Sequence, residues 1–261
     1  MSVAEKLKRD GAPIVVFGLI VAAKTYGLWI YLTGSENLWT LLRNVESIEQ
    51  YGPRATYLLT NGLSYVLYFA TALAFDALVF YSFIVRGAAR SRPQGFWEAW
   101  FPLFTVFVPV IGFTLLFVPE IRQLVPGYSP ATLRLLRDLS PIYGFYMNMI
   151  GFSMGFVGAL VSIWAISHLR RSFGLRTAVR TLVTSGPYAR VRHPLYVGEI
   201  VHICGIAILS GTPVGLYLFV SAVALQVVRA RVEEQKFLRT LPEYEGYLAR
   251  TGFLWPRLRR S

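Results

Sequence analysis

The sequence predicts an all-α, polytopic membrane protein with about six transmembrane helices, both termini cytoplasmic and a C-terminal amphipathic helix. Three observations lead there. Hydrophobic residues fill 54% of the 261 positions and charged residues only 15%, where soluble domains carry roughly 25%. Several stretches of about 18 or more residues are almost free of charge, the length and polarity of a membrane-spanning helix. Lys and Arg are also distributed unevenly, 20 in one alternating set of connections and 5 in the other. Basic loops stay on the cytoplasmic side. With a mean hydropathy of +0.48, the chain is excluded from the disordered, disulfide-scaffold and fibrous classes.

The segments follow in order. The first runs about Pro13–Thr33. Lys6, Lys8 and Arg9 precede it as in a signal sequence, but it is too long for one, carries Lys24 and shows no convincing small-residue cleavage site. It is read as a helix. The second runs about Tyr57–Val85, the third Trp100–Val118 and the fourth Pro141–Ser167. The fifth and sixth, Leu195–Ser210 and Pro213–Val228, are short and separated only by Gly211-Thr212, which predicts a tight helical hairpin. Two regions result: 1–140, the first three helices, and 141–261, helices four to six with the tail.

The basic set holds the N-terminus, Arg86, Arg90 and Arg92, the connection from Arg170 to Arg192, and the tail from Arg229 onward. The sparse set holds Arg43, Arg54, Arg122, Arg134 and Arg137. Topology thus accounts for the net charge of +12, and no nucleic-acid partner is expected. The partner is the lipid bilayer; the pattern is silent on oligomeric state. Cys204, the single cysteine, forms no internal disulfide and says nothing of redox compartment.

Two charges are embedded in the spans. Lys24 and Asp76 lie at depths differing by roughly 3 Å at 1.5 Å per residue, and pairing would relieve two expensive isolated charges. Gly151, Gly155 and Ala159, at four-residue spacing, mark a close-packing helix face.

Chemistry concentrates near the C-terminus. The run Leu182-Val183-Thr184-Ser185-Gly186-Pro187-Tyr188 begins in a loop, and Arg192-His193-Pro194-Leu195-Tyr196-Val197-Gly198-Glu199 ends inside the fifth span. Gly186-Pro187 is a turn signal. Pro194 suits the first helical position, so the helix opens with free N–H groups beside Arg192 and His193, a place for a carboxylate or phosphate. The second segment, Arg229-Ala230-Arg231-Val232-Glu233-Glu234, leaves the sixth span. Arg229 and Glu233 share a face, while adjacent Glu233 and Glu234 face differently, one towards the protein and one towards water. Phe237, Leu241, Tyr244 and Leu248 repeat at helical spacing, which predicts an amphipathic lid or a helix on the headgroups.

The hairpin would join both segments at the cytoplasmic surface, offering cations (Arg192, His193, Arg229), anions (Glu233, Glu234), aromatic faces (Tyr188, Tyr196, Phe237, Tyr244) and a glycine permitting close approach, Gly198. S-adenosylmethionine matches those groups: a carboxylate for Arg or His, an ammonium and ribose hydroxyls for Glu, an adenine for an aromatic slot and a sulfonium for π-faces. The simpler readings are topological anchors for the arginines, a helix cap for His193, a solvated helix for the glutamates and interfacial packing for Tyr196 and Gly198. Glu199 and His202 either line the pocket or form an internal hydrogen-bonded pair. Trp97, Trp100 and Trp255 read as interfacial belt residues. No metal site is expected, because three histidines and one cysteine show no ligand spacing.

From about Trp164 to Pro256 the chain resembles the isoprenylcysteine carboxyl methyltransferase family of membrane methyltransferases. The resemblance rests on Arg171-Ser172-Phe173-Gly174, the Gly186-Pro187-Tyr188 run, Arg192-His193-Pro194-x-Tyr196-x-Gly198-Glu199, Arg229 to Glu234, and the closing Glu243-Tyr244, Tyr247 and Pro256. It implies S-adenosylmethionine held by Gly186, Pro187, Tyr188, His193, Pro194, Tyr196, Gly198, Glu233 and Glu234, with a lipid-like acceptor entering from the bilayer. Met1 to about Glu120 matches nothing in that family, whose corresponding half shapes the acceptor pocket. The expected reaction is one in-line methyl transfer to an oxygen, nitrogen or sulfur of a lipid-like or small hydrophobic acceptor, a carboxylate, amine or thiol. Arg192, Arg229 and Glu233 are the catalytic candidates: the arginines for an anionic acceptor or the cofactor carboxylate, Glu233 for a proton. Two rival expectations are an NADPH-dependent reductase of the sterol-reductase type, similar in its C-terminal half, and a non-catalytic membrane scaffold.

Overall fold

The computed structural model of the chain describes residues 3–33, 53–116 and 141–257. Four of the sparse-set cations, Arg43, Arg122, Arg134 and Arg137, lie outside them, as do the end of the third segment at Val118 and the boundary drawn at residue 140. Among the described residues the chain is all-helical, and the only extended pairings are two isolated bridges, Ser91–Val179 and Val191–Gly252.

The helices are α1 (Val3–Thr33), α2 (Pro53–Val85), the short α3 (Gly95–Ala99), α4 (Phe101–Leu116), α5 (Pro141–Leu169), α6 (Pro194–Ser210), α7 (Pro213–Thr240) and α8 (Tyr244–Arg250). Within the described residues each expected apolar segment is helical, except that Trp100 lies in the turn before α4. Four stretches have the length and composition to cross a membrane: Asp10–Ile30, Val66–Val85, Tyr146–Ser172 and Pro213–Thr240. Phe101–Phe113 and Pro194–Ser210 are apolar but shorter; at 1.5 Å per residue, α6 reaches about 26 Å. Large apolar side chains such as Leu19, Val110, Leu216 and Tyr217 point outward and are exposed, which suits a hydrocarbon environment.

Two expectations are corrected. The sixth helix does not stop at Val228 but runs on to Thr240, because Pro242 is the first strong breaker after it. The tail is likewise not one amphipathic helix. Phe237 belongs to the end of α7, the chain breaks at Leu241, and Tyr244 and Leu248 sit on α8. These residues nevertheless pack together, with Leu241, Tyr244 and Tyr247 buried against Val179 and flanked by Phe237 and Leu248.

The α6–α7 hairpin forms as its sequence requires. Gly211 takes the left-handed conformation (φ 58°, ψ 24°) and donates its N–H to Ile208, a turn glycine accepts cheaply. Thr212 then caps α7, its hydroxyl accepting from the Gly215 N–H at 3.0 Å, and Pro213 takes the first helical position.

Against the hairpin, α5 and α6 are packed backbone to backbone. A Cβ on Gly205 would stand 2.5 Å from the Gly151 carbonyl oxygen, and one on Gly158 2.3 Å from the His202 nitrogen. The small-residue face is therefore Gly151 and Gly158 with Gly198 and Gly205, whereas Gly155 also admits the Tyr68 ring of α2. Further along, Phe17 of α1, Phe83 of α2, Ile166 of α5, Phe173 and Leu195 share one buried core. The embedded charges are partnered: Lys24 bonds Asp76, and Arg86 bonds the fully buried Asp10.

Candidate active site

Pro194 starts α6 immediately after Arg192 and His193, and α7 carries Arg229, Glu233 and Glu234 on the antiparallel arm of the hairpin. That geometry brings the two segments together. Arg192 donates from Nε to Glu234 Oε1 at 2.5 Å, and His193 Nε2 lies 3.3 Å from the same oxygen. Arg231 reaches the second oxygen of Glu234 at 3.3 Å. Glu234 is thus a buried carboxylate enclosed by three basic side chains.

One turn away, Tyr196 donates its hydroxyl to Glu233 Oε1 at 2.7 Å. Arg229 pairs with the same oxygen at 3.6 Å, places its guanidinium 5.1 Å over the Tyr196 ring, and donates to the Leu175 carbonyl at 3.1 Å. Both glutamates therefore turn inward, which corrects the expectation that one would face water. The His193 and Tyr196 rings stack in parallel, centroids 5.3 Å apart.

The tail clamps this arrangement. The Arg192 and His193 N–H groups donate to the carbonyls of Gly252 and Phe253 at 2.9 and 3.3 Å, and Gly252 donates back to Arg190 at 3.0 Å. Arg192 also donates to the Thr251 carbonyl at 2.5 Å, and the Phe253 ring packs edge-on against His193 and beneath Arg231. From α8, Tyr247 donates to the Tyr188 carbonyl at 2.7 Å. Burial pushes the Tyr247 phenol up to about 12. Burial, reinforced by the Glu233 carboxylate, also holds the Tyr188 phenol well above its ordinary value, so it stays protonated.

Tyr188, Arg192, His193, Tyr196, Arg229 and Glu233 line a cavity of about 1150 Å³, whose wall otherwise combines apolar side chains of α1, α2, α4, α5 and α6 with Lys24, Asp76 and the 176–180 loop. Several buried polar atoms on its wall have no hydrogen-bond partner among the described residues: the Tyr188 hydroxyl, Gln226 Oε1 and the Thr177 hydroxyl. Buried polar groups are nearly always satisfied, so this concentration beside a cavity marks where a polar ligand meets the protein.

Other sequence candidates are placed differently. Gly198 approaches α5, where a Cβ would stand 2.4 Å from the Ser162 hydroxyl. Gly186, at φ +60°, presses on the His168 ring, while Pro187 and Tyr188 are buried in the short 3₁₀ turn that follows. Pro194 starts its helix as expected. Glu199 and His202 are not paired with each other: Gln226 donates to Glu199, and His202 Nδ1 faces the Gly155 carbonyl at 3.0 Å. Sequence reasoning missed Gln226, Thr177 and the Thr251–Phe253 clamp. Gln226 was detectable as a polar residue one turn before Arg229 in an apolar helix; nothing local marks the clamp.

Among the described residues, no group of three or more His, Cys, Asp or Glu is arranged to hold a metal ion. The chain is similar to the cobalt-zinc-cadmium resistance protein CzcN of Cupriavidus metallidurans, 34% identical over 113 residues, and to the nickel-cobalt-cadmium resistance protein NccN of Alcaligenes xylosoxydans xylosoxydans, 33% identical over 113 residues. Each match covers 43% of this chain, which spans about half (49%) of the length of those relatives. Residues 145–241 match the phospholipid methyltransferase family. The matched stretch lies within α5 to Leu241 and carries Arg192, His193, Arg229, Glu233 and Glu234, so this part of the chain is similar to the phospholipid methyltransferase family.

Proposed function

We propose that this protein is an integral membrane methyltransferase that uses S-adenosylmethionine and methylates a lipid-like or small hydrophobic acceptor at the cytoplasmic face. The observation that carries this reading is a cavity lined both by the charged site residues and by largely apolar side chains of the helices. A charged nucleotide and a membrane-soluble molecule both need such a space. The family match over 145–241 supports methyl transfer, and the uneven Lys and Arg distribution supports the cytoplasmic orientation.

The residues present fit the cofactor. Arg229, a buried cation on the cavity wall, suits its carboxylate; Glu233 suits its ammonium or ribose hydroxyls; the stacked His193 and Tyr196 rings supply an aromatic wall. Bound there, S-adenosylmethionine supplies an electrophilic methyl group. The protein's part is orientation and exclusion of water, and alignment of two bound reactants is worth about 7–11 kcal/mol. A carboxylate acceptor needs no base. For an amine or thiol, one of Glu233, Glu234 or Glu199 would receive the proton.

The relatives are named for resistance to cobalt, zinc, cadmium and nickel. Here the reading is that any such role of this chain runs through methylation of a membrane component. A heat-denaturation assay on purified protein tests the proposal. S-adenosylhomocysteine should protect and NADP should not, and His193→Ala and Glu233→Ala should each abolish protection. Protection by NADP alone would favour the reductase reading, and indifference to both a non-catalytic scaffold.

A further inference from the structure

Away from the charged site residues, the cavity wall carries a second polar group. Tyr68 of α2 and His202 of α6 stack with centroids 5.3 Å apart and only 8° between the rings, and both line the cavity. His202 Nδ1 lies 3.0 Å from the Gly155 carbonyl. A carbonyl only accepts, so Nδ1 carries the proton and Nε2 presents a lone pair. The Tyr68 hydroxyl stands 3.3 Å from that Nε2, longer than the usual O–H···N bond of about 2.8 Å. Lys24 and Asp76 also line the cavity, bonded to each other, and both act electrostatically on His202.

Polar side chains at membrane depth are costly and rarely face an apolar space without a purpose. Around this dyad the wall is apolar, including Phe69, Phe75 and Phe152. The Tyr68 hydroxyl and His202 Nε2 share a long hydrogen bond, and a guest hydroxyl inserted between them would donate to Nε2 and accept from Tyr68. Lys24 and Asp76 cancel, so the wall carries no net charge for an ionised headgroup to pair with. Glu199 lies one helical turn from His202 towards the charged site residues, so one amphiphile could touch both regions.

We infer that Tyr68 and His202 form a binding subsite for the hydroxyl group of a neutral, long-chain amphiphile, and that this is the class of acceptor the cavity takes. The inference rests on the methyltransferase reading for its meaning as an acceptor site, but the binding itself is tested separately. Full-length protein carrying ¹⁵N-labelled histidine is placed in lipid nanodiscs and titrated with 1-dodecanol, dodecanoic acid and dodecane. The chain has three histidines, so His202→Gln assigns the signal. The expected result is a saturable shift of the His202 Nε2 resonance with dodecanol and none with dodecane. Tyr68→Phe keeps the stacked ring, and there the half-saturating dodecanol concentration should rise about tenfold while S-adenosylhomocysteine still protects against heat. No saturable shift, an equal shift with dodecane, tighter binding of dodecanoic acid, or unchanged dodecanol binding in Tyr68→Phe would each overturn the subsite. Loss of S-adenosylhomocysteine protection in the unmodified protein would instead remove the methyltransferase reading and leave the titration interpretable.

Discussion

Arg192 donates to Glu234 across 2.5 Å although 42 positions and a whole helical hairpin separate them. The contact joins the loop before α6 to the inner part of α7, and both side chains are nearly buried. Every part of the site is referenced to it: His193 shares the same carboxylate oxygen, Arg231 holds the other, and the tail carbonyls hold Arg192.

Breaking that pair from one side should be expensive. Arg192→Met leaves Glu234 with only His193 and Arg231, and Glu234→Leu leaves Arg192 with only backbone carbonyls, so each should cost less than about 3–5 kcal/mol, the loss for a fully orphaned buried charge. The double variant should lose clearly less than the sum. Thermal unfolding of the four proteins in detergent checks this, and strict additivity would show that the pair is not a coupled unit.

Tyr196→Phe removes only the hydroxyl that Glu233 accepts at 2.7 Å. A hydrogen bond to a charged group contributes about 1.5–3 kcal/mol, so stability should fall by that order while the stacked ring and the hairpin persist. Retained helical circular dichroism with a lowered melting temperature is the expected pair of observations.

The α5–α6 contact predicts a contrast between glycines. At Gly158 a methyl group would meet the His202 backbone at 2.3 Å, and backbone cannot swing aside. Gly158→Ala should cost about 1–3 kcal/mol or more through overpacking. Gly246, on α8, has nothing within 4 Å of an added Cβ, and Gly246→Ala should be neutral or stabilise by about 0.5–1 kcal/mol. Comparable destabilisation by both would contradict the helix contact.

Glu98 of α3 bonds the buried Lys236 of α7, which also donates to the Arg92 carbonyl at 2.6 Å. Burial pushes the Glu98 carboxyl up, but the hydrogen bond and charge of Lys236, with help from the Gln94 N–H, outweigh it and hold the carboxyl below its ordinary value. A depressed carboxylate stabilises the fold above its unfolded value of about 4.3, and the contribution fades as pH falls through the lower folded value. Glu98→Gln should therefore destabilise at neutral pH, with the difference from the unmodified protein shrinking below about pH 4. Melting temperatures of both proteins across that range measure it.

Much of this was legible in the sequence because bilayer physics is coarse. Long uncharged runs predict helices, Gly211-Thr212-Pro213 predicts the hairpin, and Lys24 and Asp76 at matched depth predict their pair. The meeting of Arg192-His193 with the Glu233-Glu234 segment followed from the hairpin alone. What escaped depends on tertiary detail. The inward turn of both glutamates reflects three cations arriving from different segments, and the Thr251–Phe253 clamp is backbone pairing around Gly252, where a Cβ would stand 1.6 Å from the Trp255 carbonyl oxygen. Gly198 read as a ligand position because spacing cannot say which neighbour a glycine admits; here it is α5. The length of α7 was missed because charge was taken as the end of the helix, whereas the helix ends only before Pro242.

The most direct test of the central claim is methyl transfer itself. Membranes containing the protein are incubated with methyl-radiolabelled S-adenosylmethionine, and the lipid, protein and volatile fractions are separated. The account predicts label in an organic-extractable, lipid-like product that is absent from membranes without the protein and lost with His193→Ala. Label no higher than in those control membranes, or equal labelling by His193→Ala, would contradict it.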